Sequence, residues 1–304
     1  MSLPLVSLII ASRDRSDLLA DTVASVLQGE QVPTEMVIVD QSPTPHPAIS
    51  KLEASRGCQV RYLLVQTAGL SRGRNTAIAA ARYDILAVID DDMYVAPGWF
   101  SRLVQSLEQS GPGSVVSGQV RPYFSEGQIG FVPSTKTADV PAVYQGRVEK
   151  DVLFTGNMAM YRAVVETIGY FDERLGPGTR YPSAEDSDFG FRLLEAGFCI
   201  RYVPEAVVYH RAWRGEGDYL PLRWSYGLGR GAFYAKYFDS RDHHMKRRML
   251  ADIRNHLLAF PFHIRRQRLR AYGDLTLAWG ILLGAARWLA TERKKSAAVS
   301  YDAG

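Results

Sequence analysis

The chain has 304 residues, 46% apolar and 22% charged, a globular composition that excludes a disordered or collagen-like chain. Its two cysteines, Cys58 and Cys199, lie too far apart for a zinc knuckle or a CxxC redox pair and give no disulfide framework, which fits a reducing compartment. The net charge of +4 hides an asymmetry: residues 211–304 carry 18 Lys and Arg against 8 Asp and Glu, and the remainder 18 against 24, so the two parts are expected to meet different partners.

The opening "MSLPLVSLIIASRDR" has no basic region before its short apolar run. It reads as a first strand over Leu5–Ala11 and not as a signal peptide, so a cytoplasmic protein is expected. "RSDLLADTVASVLQ" follows with Leu18, Leu19, Val23, Val26 and Leu27 at helical spacing. A second strand spans Glu35–Asp40, and a third, Gln59–Val65, leads into the alanine-rich helix of "QTAGLSRGRNTAIAAA". The fourth strand is "DILAVID". Continuous apolar strands alternating with amphipathic helices imply an α/β fold with a parallel sheet covered on both faces.

Ligands of such sheets collect beyond the carboxyl ends of the strands. The polar residues there are Ser12, Arg13 and Asp14, then Asp40 and Gln41, Gln66 and Thr67, and finally Asp90, Asp91 and Asp92. Strand ends and helix caps are commonly Asp or Ser. Capping needs one carboxylate, however, and three in a row behind an apolar run repel one another unless something positive sits among them. A hard divalent cation, Mg²⁺ or Mn²⁺, is the simplest source of that charge, and it implies a phosphorylated ligand.

Further along, Gly156 and Asn157 in "FTGNMAMYR" suit a tight turn. The loop "GPGTRYPSAED" is a candidate lid. It precedes a helical pattern in which Glu185, Asp186 and Asp188 occupy the first turn, where carboxylates either complement the helix dipole or act as a base. His210 ends the strand "AVVYH". In the basic remainder, Leu250, Ile253, Leu257 and Leu258 suit one face of a helix, and His243 and His244 read as part of a solvated face. "LTLAWGILLGAARWLA" (Leu275–Ala290) is apolar nearly all round yet shorter than the roughly 20 residues of a spanning helix. It is expected to lie on a membrane or to dock on the protein core. The aromatic and apolar content of this extension favours an anionic membrane surface over nucleic acid, which is not expected as a partner.

Taken together, "VSLIIASRDR", "MVIVDQS", "GLSRGRNTAI", "LAVIDDDM", "GNMAMYRAVVETIGYFDERL", "AEDSDFGFRLLEAG" and "VVYHRAWR" resemble the GT-A glycosyltransferases of family 2 over roughly residues 3 to 215. These are nucleotide-sugar-dependent, mostly inverting enzymes. The resemblance implies a Rossmann-like, mainly parallel mixed sheet flanked by helices, with a catalytic domain over 1–214 and a helical C-terminal extension over 215–304. The nucleotide-binding half would be 1–120 and the acceptor and base half 121–214. It implies that Ser12, Arg13, Asp40, Arg74, Asn75, Asp90 and Asp91 line the nucleotide site, and that Gly156 and Asn157 lie by the sugar. Asp92, with Asp90 and His210, would hold Mn²⁺ or Mg²⁺, the register within the triplet staying open. Asp186, with Glu185 as fallback, would be the catalytic base. The donor would be a nucleotide-diphosphate sugar of UDP type and the acceptor a hydroxyl of a glycan, lipid-linked or cell-surface precursor. "LPLRW" replaces the QxxRW of processive synthases with a leucine-led version, and no multi-span region exists, so transfer of one or very few sugars is expected. A sugar nucleotidyltransferase, or a weakly active binding protein on the same fold, stays open, as does a homo-oligomer. A nicotinamide dehydrogenase does not, because no GxGxxG follows the first strand.

Overall fold

A computed structural model of the protein describes residues 3–124 and 129–301, with side chains as far as 292. The chain divides into two compact units, Met1–Asp172 with Phe189–Trp213, and Glu173–Asp188 with Arg214–Gly304. The segment 173–188, which chain order groups with the acceptor half, therefore belongs with the C-terminal residues.

The first unit begins with β1 (Val6–Ser12), α1 (Ser16–Gln28), β2 (Glu35–Asp40), β3 (Ala54–Ser55) and β4 (Cys58–Leu64). It continues through α2 (Leu70–Ala80), β5 (Ile85–Asp90), β6 (Met93–Val95), α3 (Trp99–Ser110) and β7 (Ser114–Pro122). Then come β8 (Ala142–Tyr144), β9 (Asn157–Tyr161), α4 (Arg162–Ile168), α5 (Glu185–Glu195), within which the units divide, and β10 (Cys199–His210). The strands form one sheet in the order β3-β4-β2-β1-β5-β9-β7-β10-β6, with β8 paired to β10. β4, β2, β1 and β5 run parallel, and β9 opposes both β5 and β7.

The apolar runs are continuous because both faces are buried. Along β1, Leu8 and Ile10 join a core with α1 and α3, whereas Ile9 faces a second core with α2, α4 and α5. The same alternation separates Met36 and Ile38 from Val37 and Val39 on β2. The chain leaves β1 for β2 on one side and returns to β5 on the other. That reversal opens a crevice at the carboxyl ends of β1 and β5, where open α/β sheets bind ligands.

The second unit is built on α6 (Tyr219–Lys236), α7 (His244–His263) and α8 (Arg268–Tyr301). The glycine-rich "YGLGRGAFY" lies inside α6, and its glycines serve packing. A Cβ on Gly227 would stand 2.6 Å from the Leu277 carbonyl oxygen, and one on Gly280 2.8 Å from the Gly227 Cα. Gly231 and Gly284 meet the backbones of Ile281 and Leu228 as closely, so α6 and α8 touch main chain to main chain. Polar side chains join the helices as well. Asp274, 4% exposed, lies 2.9 Å from His256 Nδ1 and 2.6 Å from His263 Nδ1, with Arg223 at 3.3 Å. Asp252 accepts from Arg230 and from the Tyr234 hydroxyl, each at 3.0 Å.

Two readings of this region change. Of the apolar face on α7, only Ile253 is buried; Leu250, Leu257 and Leu258 point to solvent. His244 is buried instead of solvated. The stretch Leu275–Ala290 is the middle of a 34-residue helix, and no helix among the described residues is long and apolar enough to cross a membrane. In the loop before α5, Tyr181 is buried, its ring 5.3 Å from that of Trp288 and its hydroxyl 3.3 Å from Thr291 Oγ1. The candidate lid is thus pinned to α8 at that residue.

Candidate active site

The parallel register sets the site. Ser12 pairs with Asp40 across β1 and β2, and Ala11 with Asp90 across β1 and β5, so three strand ends finish in one row. β6 leaves the triplet at once and pairs antiparallel with β10, opposing Met93 to His210. This turn brings His210 beside Asp92.

Each aspartate of the triplet has its own surroundings. Asp90, at the tip of β5, receives Arg74 Nη2 at 2.5 Å; Arg74 is 2% exposed and also donates to Thr155 Oγ1 at 2.6 Å. Asp91 is buried, accepts from Ser12 Oγ at 2.7 Å and pairs with Arg15 Nη1 at 3.1 Å. Its backbone carbonyl accepts from Thr22 of α1 at 2.8 Å. Burial, reinforced by the neighbouring Asp92 charge, pushes the Asp91 carboxyl up to about 7 despite Arg15 and Ser12.

Asp92 behaves oppositely. Burial works against its charge, but the facing His210 and Arg15 outweigh burial and hold its carboxyl below the usual range. Arg15 Nη1 is 2.9 Å from Asp92 Oδ2. Oδ1 accepts no hydrogen bond among the described residues and faces His210 Nε2 at 3.4 Å. The imidazole is oriented from behind, where Nδ1 contacts the Pro133 carbonyl at 2.9 Å. Burial lowers the His210 pKa, yet Asp92 reverses that and raises it. When Nε2 gives up its proton, the buried carboxylate oxygen and the imidazole nitrogen facing each other at 3.4 Å form a ligand pair that fits a Mn²⁺-like cation. No group of three or more His, Cys, Asp and Glu gathers as a metal cluster among the described residues. The pair therefore suits a cation completed by ligand oxygens and water.

Other predicted residues are placed less simply. Asp40 is buried and already accepts from Ser42 N–H at 2.9 Å and from the Ser42 and Tyr62 hydroxyls at 2.5 Å. Burial, with Asp40 beside it, pushes the Tyr62 phenol up to about 12. Arg13 points outward and pairs with Asp14 at 3.3 Å. Asn75 exchanges two 2.9 Å hydrogen bonds with the Phe171 backbone, tying α2 to the chain after α4. Gly156 abuts the Asp90 carboxylate so closely that a Cβ would collide with it, which gives the glycine a steric reason. Asn157 is wholly buried, accepting from Trp99 Nε1 at 2.8 Å and donating to the Gln119 and Ala206 carbonyls at 2.9 and 3.0 Å. It ties strands together inside the sheet and turns no amide atom toward a sugar.

Glu185 and Asp186 begin α5 in the second unit, both half-buried. Their neighbour Asp188 is completely buried, accepting from Lys236 Nζ at 2.6 Å and the Tyr237 hydroxyl at 2.7 Å. The sequence reading did not pick out Arg15, Thr155 or Tyr62. Arg15 had a signal: it shares the turn after β1 with Arg13, and Asp14 between them takes φ 55°, so the two arginines leave the turn in different directions.

Comparison with known proteins agrees with this architecture. Residues 7–169 match the family model described as Glycosyl transferase family 2. The chain is 31% identical over 109 residues to the uncharacterized glycosyltransferase EpsJ of Bacillus subtilis, covering 36% of this chain and 32% of that one. It is 25% identical over 221 residues to the glucosyl-dolichyl phosphate glucuronosyltransferase of Haloferax volcanii, covering 70% and 71%. Several curated relatives are much longer, and the chain spans only 28% and 32% of the length of two of them. Among solved structures, the mannosyltransferase PcManGT from Pyrobaculum calidifontis, in complex with GDP-Man and Mn²⁺, superposes with a TM-score of 0.60 at 15% identity, covering 95% of this chain and 88% of that one. The strand order, the crevice at its reversal and the family match lead to one conclusion: the chain belongs to glycosyl transferase family 2 and has the GT-A fold.

Proposed function

We propose that the protein is a metal-dependent, inverting glycosyltransferase that moves a single sugar from a nucleotide-diphosphate donor, of UDP type, to a hydroxyl of a glycan, lipid-linked or cell-surface precursor. One observation carries this reading: the buried Asp92 Oδ1 accepts no hydrogen bond among the described residues and faces His210 at the reversal point of the sheet. Support also comes from solved structures of this fold in complex with Mn²⁺ and UDP or GDP-Man. Asp92 and His210 would hold the cation, with Asp90 beside them. When bound, a cation there offsets negative charge on a departing diphosphate. Arg74, held rigid by Thr155 and Asp90, presents positive charge toward the same end of the site. Asp40 recognises the base, with Ser12 and Asp91 shaping the wall. Asp186 takes the proton from the acceptor hydroxyl, and Glu185 is its fallback. The acceptor reading places the protein at the inner face of a membrane, as a peripheral protein.

A second reading has its own observation. Arg15 already bridges Asp91 and Asp92 at 3.1 and 2.9 Å, so a guanidinium supplies the positive charge, as in a weakly active or purely binding member of the fold. Calorimetry with UDP-sugars, with and without Mn²⁺, separates the two. Metal-dependent donor binding is expected, lost in Asp92→Ala. Asp186→Asn should keep donor binding and lose transfer. Undiminished binding by Asp92→Ala in the absence of Mn²⁺ would favour the arginine-neutralised binder.

A further inference from the structure

We propose that the outer faces of α7 and α8 form a docking surface for an anionic lipid bilayer. This deepens the reading of a protein that works at a membrane, but it does not depend on sugar transfer, because every residue it uses lies in the second unit.

The surface departs from the usual amphipathic rule, because apolar side chains lie on the outer as well as the inner face. On α7, Leu250, Leu257, Leu258 and Phe262 are 61%, 49%, 64% and 81% exposed. Their spacing of 7, 8 and 12 residues from the first puts them on one arc of the helix. The buried side of α7 carries Met245 and Ile253 instead. On α8, Tyr272, Trp279 and Leu282 are likewise turned outward, Trp279 being 66% exposed. Exposed apolar side chains at helical spacing, with Trp and Tyr among them, match a surface that lies in the headgroup boundary.

Charge chooses the occupant. Residues 253–273 contain five arginines, two histidines and no Asp or Glu. Arg265, Arg266, Arg268 and Arg270 are exposed in and around the turn between the helices. Beside Phe262 lies a cleft of about 410 Å³, lined by Ala259, Phe262, His263, Arg266, Gln267 and Arg270. His263 is anchored there by buried Asp274. Guanidinium groups around a small apolar-floored cleft suit a lipid phosphate, while the neighbouring Leu and Phe side chains suit acyl chains. A second copy would set the same arginines against themselves. A nucleic acid would engage the arginines and leave the apolar arc in water.

The test is co-sedimentation of the full chain with vesicles of phosphatidylcholine alone, or with roughly one-third phosphatidylglycerol. Binding is expected only to the anionic vesicles. Arg266→Glu with Arg270→Glu should weaken it at least about tenfold and remove its salt dependence, since each arginine contributes to attraction by the charged leaflet. Leu258→Ser with Phe262→Ser should weaken it comparably while keeping the salt dependence. Calorimetric donor binding should survive in both variants, which separates failure of the docking surface from failure of the catalytic reading. Equal binding to neutral and anionic vesicles, or no binding to either, would overturn the proposal. So would concentration-dependent self-association that Leu258→Ser with Phe262→Ser abolishes, because a second copy would then be the occupant.

Discussion

The two units bury their interiors by different rules. In the first, hydrophobicity and burial coincide: alternate residues of each apolar strand enter one of two cores, and Leu103, Val104 and Leu107 of α3 are sealed completely. In the second, the closest contact is made by Gly227, Gly231, Gly280 and Gly284, and large apolar side chains such as Leu258, Phe262 and Trp279 stay in solvent. Buried apolar residues such as Phe233, Ile281 and Trp288 fill the second unit too, but there other large apolar residues of α7 and α8 also form the outer surface. The difference lies in what holds the elements: side-chain volume between layers in the sheet, and in the helices main-chain approach and ionic pairs beside a smaller apolar cluster around Tyr181 and Trp288.

The largest effect that tests this contrast is Leu103→Ala. The side chain is fully buried under the sheet, so its loss leaves a cavity and should cost about 2–5 kcal/mol in urea unfolding. A cost near that of an exposed leucine would break the comparison. Next is Gly231→Val in α6, which in an isolated helix would be neutral or helpful. Here the new side chain meets the Ile281 backbone and the start of the next turn at Ala285, so a loss of about 1–3 kcal/mol is expected. Stabilisation by Gly231→Val would mean that α6 and α8 do not meet through their main chains.

These cases also separate what could be read along the chain from what could not. β2 spans Glu35–Asp40 as its apolar run and flanking turn residues predict, and β1 and β5 fall within a residue of their runs because both of their faces are buried; β4, half-buried with Gln59 and Arg61 in it, still falls within a residue of its run. The triplet at the end of β5 was legible for the same reason. The helix α6 was not, since its glycines and aromatics have poor helix propensity and only the partner surface of α8 makes them useful. On α7 the periodicity was visible, yet a period identifies a face without saying what covers it. Arg15 was masked by Arg13 two positions earlier, because the backbone of Asp14, and not residue type, selects which guanidinium reaches the aspartates. Asn157 and Asn75 show the converse. Amides in promising motifs were taken up by the backbone of neighbouring strands and loops.

The smallest expected effect sharpens the comparison through pH. Burial opposes the charge of Asp252, but His256, Arg230 and Tyr234 overcome it and depress the carboxyl to about 2. Asp274 is depressed as well, by His263, His256 and Arg223 against the cost of burial. A carboxyl depressed in the folded state stabilises it above the ordinary carboxylate range, and this contribution fades as pH falls toward the folded value. The loss therefore falls between about pH 4 and pH 2, and at Asp252 it amounts to about 2 kcal/mol as an upper figure, since its side chain is 17% exposed. Urea melts of the wild type should show this acid loss, and Asp252→Asn should be less stable near neutrality and flatter below about pH 4. The expected mechanism is specific. Asp252 ties α7 to Arg230 and Tyr234 of α6, and His256, 2.9 Å from Asp274 and 3.5 Å from Asp252, ties α7 to α8, so protonating Asp252 loosens α7 from α6 and protonating Asp274 loosens it from α8. An Asp252→Asn profile parallel to that of the wild type would show that the Asp252 pairs contribute nothing to holding α7 on α6.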